Sequence, residues 1–280
     1  MFKKIALISI AVLCVILLTI YNAKAVNTKQ LKIREETVRS AKIDEDLDGF
    51  LIAFFSDVCY GSFVNEGDLD KVLKAVNSYK PDLIIFTGDL IDLSENDVTP
   101  EMIELLKGFL SSLDAHYGKY AVMGDHDQDC AAIIQEIYED SGFALLDNES
   151  QIVGPDSDSY IVLTGIDPFV QEKQPYTELF TDPGHYAVAA VHYPDVFSEL
   201  ENCSIDLCLA GHSLGGQVYI PVVSMFNRDD GCRQYYHGKT VKDGKILDIT
   251  NGIGRRKTDA RLWADAEVVF YTLRPAESGK

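Results

Sequence analysis

Positive charge is scarce in this chain. Its 280 residues include 25 Lys and Arg against 44 Asp and Glu, so the formal net charge at pH 7 is -19. Nucleic acids are bound mainly through Lys and Arg contacts to phosphate, and this balance therefore argues against a nucleic-acid partner. The same charge repels phosphorylated molecules at long range, so bound cations would have to supply any local attraction for them.

The sequence also lacks repeats, low-complexity segments and a second long apolar run. The single run covers residues 5–21 and follows Lys3 and Lys4. Its length lies between that of a signal-peptide core and that of a full membrane span. We interpret residues 1–21 as an uncleaved anchor, with the lysines on the cytoplasmic side and the domain outside the membrane. Secretion after cleavage near Ala25 is the alternative.

There are only six cysteines. Cys14 lies in the apolar run. The other five are Cys59, Cys130, Cys203, Cys208 and Cys232. An odd number outside the membrane indicates at least one free thiol. Proximity favours Cys203 and Cys208 as a disulfide pair, although the sequence does not determine connectivity.

The length of the chain allows one α/β domain with a sizeable core. Short apolar runs predict strands over residues 50–55, 83–86, 120–123, 160–165, 186–191, 205–210, 218–223, 246–250 and 268–273, with a weaker one over 30–38. Helical spacing predicts helices over residues 69–76, 101–113 and 131–138. Strands alternating with helices in the first half indicate parallel βαβ units, and the strand-rich second half indicates a second, mixed sheet.

Five short segments place Asp and His residues, mostly directly after predicted strands. They are Ser56-Asp57-Val58-Cys59, Gly88-Asp89-Leu90-Ile91-Asp92, Gly124-Asp125-His126-Asp127, Val191-His192 and Gly211-His212-Ser213-Leu214. Open α/β sheets build their sites at the C-terminal ends of their strands. Carboxylate and imidazole groups together are ligands for hard to borderline divalent metals. The segments therefore indicate a metal site.

In this order the segments resemble the calcineurin-like metallophosphoesterase family, whose pattern is D-x-H, G-D-x-x-D, G-N-H-D/E, a lone His and G-H-x-H. The resemblance covers residues 49–275, and residues 22–48 would form a juxtamembrane segment with the first strand. It implies an α/β fold with a two-sheet sandwich flanked by helices. It also implies divalent metals (Mn²⁺, Zn²⁺ or Fe²⁺) that activate a hydroxide and hydrolyse a phosphoester, phosphodiester or pyrophosphate bond.

The tail resembles a membrane-anchored bacterial branch of the same family. The matching segments are Gly215-Gly216-Gln217 followed by Pro221, Asn251-Gly252-Ile253-Gly254 and Ala260-Arg261-Leu262. An anchor makes lipid-linked or envelope phosphoesters plausible substrates, besides free small molecules, although the sequence does not identify one.

The resemblance implies two metal sites that share Asp89. The first metal would take Asp57, Cys59 and Asp89, and the second would take Asp89, Asp125, His192 and His212. Cys59 and Leu214 stand where the family has His, and both belong to the first site. We therefore expect the first metal to be weakened or absent and the second to bind. Asp125 replaces an Asn, which adds a negative charge and should tighten cation binding.

Two residues of the third segment have catalytic counterparts in the family. His126 corresponds to the residue that contacts the phosphate and steadies the leaving oxygen. Asp127 would orient its ring, as carboxylates behind a functional histidine commonly do.

Two other functions remain open. Residues 211–215 match G-x-S-x-G, the nucleophile elbow of serine esterases and lipases. Against it, the segment that follows Ser213 is strand-like and contains Pro221, and only His237 follows as a triad histidine. The other alternative is a binding protein that has kept the fold and lost turnover.

Overall fold

Two six-stranded sheets form the centre of the fold. The computed structural model describes residues 2–93, 97–156, 158–169, 175–221, 223 and 228–277. The strands are β1 (Leu31–Ser40), β2 (Leu51–Phe55), β3 (Leu83–Phe86), β4 (Lys119–Ala121), β5 (Phe143–Leu145), β6 (Glu149–Val153), β7 (Ile161–Ile166), β8 (Tyr186–Val191), β9 (Leu207–Ala210), β10 (Gly238–Lys242), β11 (Lys245–Ile249) and β12 (Ala266–Pro275). The α-helices are α1 (Phe2–Tyr21), α2 (Glu66–Tyr79), α3 (Pro100–Ser111) and α4 (Ala131–Asp140).

Each sheet has a parallel centre. The first sheet has the order β1-β12-β2-β3-β4-β5, in which β2 to β5 are parallel and are connected by α2, α3 and α4. The second has the order β10-β11-β9-β8-β7-β6, with antiparallel pairs only at its two edges. The predicted α/β fold with two sheets and flanking helices is confirmed.

The apolar side chains form layers on both faces of each sheet. One layer lies between the sheets and joins Ile52 and Phe54 of β2 to Leu163 of β7 and Val188 of β8. A second layer packs α2, α3 and α4 against the outer face of the first sheet. A third covers the outer face of the second sheet and includes Phe197. Because both sheets are covered on both faces, their central strands are continuous apolar runs, which made them easy to predict.

The helices over the first sheet begin at polar caps. Asn65 and Asp68 form a reciprocal capping box at the start of α2. The Thr99 hydroxyl accepts a hydrogen bond from the backbone N–H of Met102 at the start of α3, and Pro100 is the first helical residue. Such caps satisfy backbone N–H groups that have no partner inside the helix. They explain why both helices begin earlier in the structure than their apolar spacing predicted.

The strand prediction for residues 218–223 is wrong over the part of that segment that the structure describes. Val218 forms an isolated bridge with Leu262 and no strand follows through Pro221, while residue 222 lies outside the described residues. Three short strands, β5, β6 and β10, were not predicted. β6 and β10 are edge strands with mostly polar or exposed side chains, so they lack the apolar run that marks a buried strand.

The cysteines do not form the predicted disulfide. All six lie in the described residues and are free thiols. Cys203 and Cys208 are both buried in the apolar layer outside the second sheet. A buried free cysteine packs as a small apolar side chain, and proximity in sequence was therefore a poor guide to pairing.

α1 stands apart from the packed layers. It is long and apolar enough to cross a membrane, and none of its described residues is buried. A membrane anchor or a signal sequence both fit this helix. Its orientation in a membrane stays a prediction.

Candidate metal centre

The C-terminal ends of strands from both sheets meet at one edge of the sandwich. β2 leads to Asp57 and β3 leads to Asp89 in the first sheet, whereas β8 leads to His192 and β9 leads to His212 in the second. Asp125 follows β4. Because neighbouring parallel strands end at the same edge, residues far apart in sequence converge here.

Two groups of ligand atoms result. The four-ligand cluster comprises Asp89, Asp125, His192 and His212, and the three-ligand cluster comprises Asp57, Cys59 and Asp89. In each group the ligand atoms all lie within 4.8 Å of one another. The structure thus brings together every residue that the sequence predicted as a metal ligand.

The loops that carry these ligands have an unusual backbone. Asp57, Cys59, Asp89, His212 and Leu214 all have positive φ angles, between 49° and 68°. Residues other than glycine seldom adopt this left-handed conformation, and such positions concentrate at functional sites. The backbone therefore turns sharply after each strand and directs the side chains inwards.

One glycine is required by the close approach of two of these loops. A Cβ on Gly124 would lie 2.1 Å from the Asp89 Oδ1 atom. No other residue type fits there without moving the Asp89 carboxylate. The glycine thus allows the β4 loop to pass directly over the shared ligand.

Both histidines of the four-ligand cluster are fixed by backbone carbonyls. His192 Nδ1 donates to the carbonyl of Thr87 at 2.6 Å, and His212 Nε2 donates to the carbonyl of Asp230 at 2.7 Å. A carbonyl can only accept, so the remaining nitrogen of each ring is the one available as a ligand. Those nitrogens, His192 Nε2 and His212 Nδ1, lie 2.9 and 3.0 Å from Asp125 Oδ1.

The four-ligand cluster is stabilised by a positive charge at its centre. Burial alone would lower the pKa of His192, but the carboxylates of Asp89 and Asp125 raise it well above its usual value. Burial opposes ionisation of Asp125, yet its hydrogen bonds to His192 and His212 hold its pKa below the usual range. Lone pairs of two imidazoles and a carboxylate therefore point at one position. Either protons or a metal cation must lie there to compensate the negative charge.

Two buried carboxylate oxygens add to the fit. Asp57 Oδ1 and Asp89 Oδ2 have no hydrogen-bond partner among the described residues. Burial raises the pKa of Asp57, and the nearby Asp89 raises it further. A buried acceptor without a donor is costly unless a cation or proton satisfies it, so this donor set fits a divalent metal.

His126 lies between two carboxylates at the rim of the four-ligand cluster. Its Nδ1 is 3.9 Å from Asp92 Oδ1, and its Nε2 is 3.6 Å from Asp125 Oδ2. The His126 backbone N–H donates to Asp89 Oδ1 at 3.0 Å, and this bond holds the backbone of the loop that carries the His126 ring. Asp92 was not predicted as a site residue, although it is the last Asp of the G-D-x-x-D segment and could have been found there.

Asp127 has a different position from the one that its predicted role requires. Its two carboxylate oxygens accept hydrogen bonds from the backbone N–H groups of Asp89, Leu90 and Gly124, all at 2.9 Å. These contacts join the β3 loop to the β4 loop. Asp127 therefore positions the backbone beneath Asp89, whereas Asp92 is the carboxylate that faces His126 Nδ1.

A family model matches the part of the chain that contains both ligand clusters. Residues 50–216 match the model described as calcineurin-like phosphoesterase. The chain belongs to the calcineurin-like phosphoesterase family. The matched residues include both ligand clusters and His126, so this assignment rests on the site as well as on the fold.

Several proteins of this family are similar to the chain over most of its length. The metallophosphoesterase YkuE of Bacillus subtilis is 26% identical over 256 residues, which cover 90% of this chain and 88% of the relative. Phosphodiesterase YaeI of Escherichia coli is 26% identical, over 73% of this chain and 75% of the relative. A transmembrane protein with metallophosphoesterase domain from Danio rerio is 22% identical, over 88% of this chain and 58% of the relative.

A polar cleft adjoins His212 of the four-ligand cluster. It has a volume of about 290 Å³, and its lining includes His212, Ser213, Gln217, Arg256 and Lys257. The two basic residues lie beyond the part that the family model matches. They were not predicted as site residues, because no spacing in the sequence connects them to the Asp and His segments.

Proposed function

We propose that this protein hydrolyses a phosphoester bond with one divalent metal held by the four-ligand cluster. The observation that carries the proposal is the convergence of His192 Nε2 and His212 Nδ1 on Asp125 Oδ1, with each ring fixed by a backbone carbonyl. Mn²⁺, Zn²⁺ and Fe²⁺ all accept this mixture of imidazole and carboxylate ligands. The metal would supply Lewis-acid charge and a water activated for attack on phosphorus.

The residues around the metal have separate roles in this reaction. Asp89 and Asp125 hold negative charge against the cation, and Asp127 keeps the Asp89 loop in place. His126 is 21% exposed at its side chain, so its ring is open to solvent beside the cluster. With Asp92 behind its Nδ1 atom, its Nε2 atom can hold a proton for the leaving oxygen.

The geometry around Ser213 does not favour the serine-esterase alternative. The Ser213 hydroxyl accepts a hydrogen bond from the Gly215 backbone N–H, and only a three-residue 3₁₀ turn, Leu214–Gly216, follows. A nucleophile elbow needs an α-helix directly after the serine. Ser213 is better explained as the residue that stabilises this turn.

Two substitutions separate the metal reaction from the serine reaction. We expect Ser213→Ala to keep most of the activity of the full chain on generic phosphomonoesters and phosphodiesters with Mn²⁺ added. Asp89→Asn should remove the activity, because it takes charge from the carboxylate shared by both ligand clusters. Covalent labelling of Ser213 by a fluorophosphonate, together with loss of activity in Ser213→Ala, would contradict the proposal in favour of an esterase. Turnover absent from the wild type despite bound metal would favour a binding protein.

We also propose that the substrate is a lipid-linked phosphoester. The segment after α1 is fixed to the domain, because the Ala23 carbonyl accepts from the Arg261 N–H and the Asn27 side chain donates to the Arg261 carbonyl. Val218 lines an apolar groove against α1 and also lines the polar cleft. A bilayer around α1 would therefore lie beside the entrance of the cleft.

Exposed apolar side chains on the domain support this contact. Ile220 lines the groove, and Trp263 follows Leu262, which lines it too. Trp263 is the only tryptophan of the chain and is 64% exposed. Tryptophan is enriched where proteins meet the headgroup region of a bilayer.

Trp263 provides a direct measurement of the bilayer contact. In full-length protein reconstituted into nanodiscs, we expect brominated lipids to quench most of the tryptophan fluorescence, because bromine quenches only at close range. The matched control is the same protein in unbrominated lipids. Fluorescence that responds to an aqueous quencher and not to brominated lipid would contradict the contact.

The proposed orientation places the domain outside the cytoplasm. Lys3 and Lys4 precede α1, and positive residues usually remain on the cytoplasmic side. Protease added to intact cells with a permeabilised wall should therefore degrade the domain. Protection in such cells, followed by degradation after lysis, would show the opposite orientation.

A further inference from the structure

Arg256 extends a guanidinium group into the centre of the site. Its Nη1 lies 3.7 Å from Asp89 Oδ2, and its Nε lies 3.7 Å from Asp92 Oδ2. The side chain is only 15% exposed. A guanidinium is charged at every physiological pH, and here it faces the carboxylates of Asp89 and Asp92.

The loop that carries Arg256 is fixed to the loop that carries the His212 ligand. The Arg256 backbone N–H donates to Gln217 Oε1 at 2.7 Å, and Gln217 Nε2 donates to the Thr258 carbonyl at 2.7 Å. Gln217 is buried and has a φ of 50°. The guanidinium is therefore part of a built site and is not a mobile surface charge.

The three-ligand cluster is poorly suited to a metal in the presence of this group. Leu214 offers no ligand atom, so among the described residues only Asp57, Cys59 and Asp89 remain as donors in this cluster. The loop that carries Arg256 passes directly over this cluster, since a Cβ on Gly254 would lie 2.7 Å from the Cβ of Cys59. A divalent cation between Asp57 and Asp89 would therefore be repelled by the guanidinium, whose Nη1 is 3.7 Å from Asp89 Oδ2.

We propose that Arg256 takes the place of the first metal and binds the phosphate group of the substrate beside a single metal in the four-ligand cluster. A guanidinium offers paired N–H donors that match two phosphate oxygens, and it remains charged at every physiological pH. Charge placed in advance at the phosphate lowers the barrier to its reaction. The inference rests on the proposed hydrolase function and adds a phosphate-binding residue to it.

Phosphate binding and metal content test this role without an assay of turnover. The full chain in detergent, loaded with Mn²⁺, is titrated with inorganic phosphate by calorimetry, and its metal is counted by mass spectrometry. We expect about one metal in wild type, in Cys59→Ser and in Arg256→Gln. Arg256→Gln should bind phosphate roughly 10- to 100-fold more weakly, the range of one charged hydrogen-bonding contact, and Arg256→Lys should fall between the two.

The matched control is Arg274→Gln. Arg274 lies near the C-terminal end of β12 and is bonded to Asp48. The opposite part of this ten-residue strand is nearer the site, since Val269 pairs with Phe54 at the end of β2 that leads to Asp57. Its substitution removes the same charge and should leave phosphate affinity unchanged. Equal losses in Arg256→Gln and Arg274→Gln would overturn the specific role of Arg256.

Restoring histidines at positions 59 and 214 tests whether Arg256 excludes a first metal. Cys59→His with Leu214→His should still bind about one metal while Arg256 is present, and adding Arg256→Gln to this pair should raise the count to about two. Two metals in the wild type, or unchanged phosphate affinity in Arg256→Gln, would overturn the inference and leave the hydrolase proposal standing. A wild type that holds no metal would contradict the hydrolase proposal instead, and its phosphate titration would still decide the role of Arg256.

Discussion

His192→Ala should leave the full-length protein without its metal. The substitution removes a ring nitrogen that faces Asp125 Oδ1 at 2.9 Å, and it also removes the hydrogen bond to the Thr87 carbonyl. Binding of a structural Zn²⁺ by protein ligands is worth roughly 10–16 kcal/mol, so losing one ligand of four should cost about 3 kcal/mol, which is more than about a hundredfold in metal affinity. Elemental analysis after purification with added Mn²⁺ should therefore find near-stoichiometric metal in the wild type and almost none in the variant, and activity should fall with it.

His116→Ala is the matched control for this experiment. His116 is an exposed histidine before β4 that belongs to neither ligand cluster. Its replacement should leave metal content and activity unchanged. Metal that persists in His192→Ala, in a variant whose circular dichroism matches that of the wild type, would contradict the assignment of the four-ligand cluster. Metal absent from the wild type itself would contradict it as well.

The ligand positions were predictable because each follows a buried strand. Asp57, Asp89 and His192 lie close behind the ends of buried strands such as Leu83–Phe86, and parallel strands bring such positions to one edge of a sheet. The fold and the candidate ligands could therefore be predicted from short segments of the sequence. The direction of each ring was not predictable, since it depends on carbonyl partners such as Asp230 from distant loops.

Residues that act through tertiary contact escaped prediction for a related reason. Arg256 reaches the site because its loop is hydrogen-bonded to Gln217, a contact between residues 39 positions apart. Asp92 belongs to the G-D-x-x-D segment, which could be identified in the sequence. Its position opposite His126 Nδ1 depends on the packing of two loops, which the segment alone does not show. The expected partner, Asp127, is adjacent in sequence to His126, yet its carboxylate is already satisfied by three backbone amides.

His126→Gln should slow turnover while leaving the metal in place. His126 contributes only its backbone N–H to Asp89 and supplies no atom to either ligand cluster, so the metal count should match that of the wild type. As a proton donor to the leaving oxygen, its ring should contribute about 10²- to 10⁴-fold to kcat. The loss should be large for an alkyl phosphoester and much smaller for a 4-nitrophenyl ester.

This last test depends on whether the leaving group of each substrate needs a proton. An alkoxide needs a proton in order to leave, whereas 4-nitrophenolate is already a stable anion, so only the first reaction depends on the His126 proton. Gln preserves hydrogen-bonding capacity but cannot transfer a proton at neutral pH. An equal fall in kcat for both substrates would contradict the proton-donor role and indicate that the ring serves in phosphate binding. Since Asp92 Oδ1 faces the Nδ1 atom of this ring, Asp92→Asn should reproduce the same leaving-group dependence in weaker form.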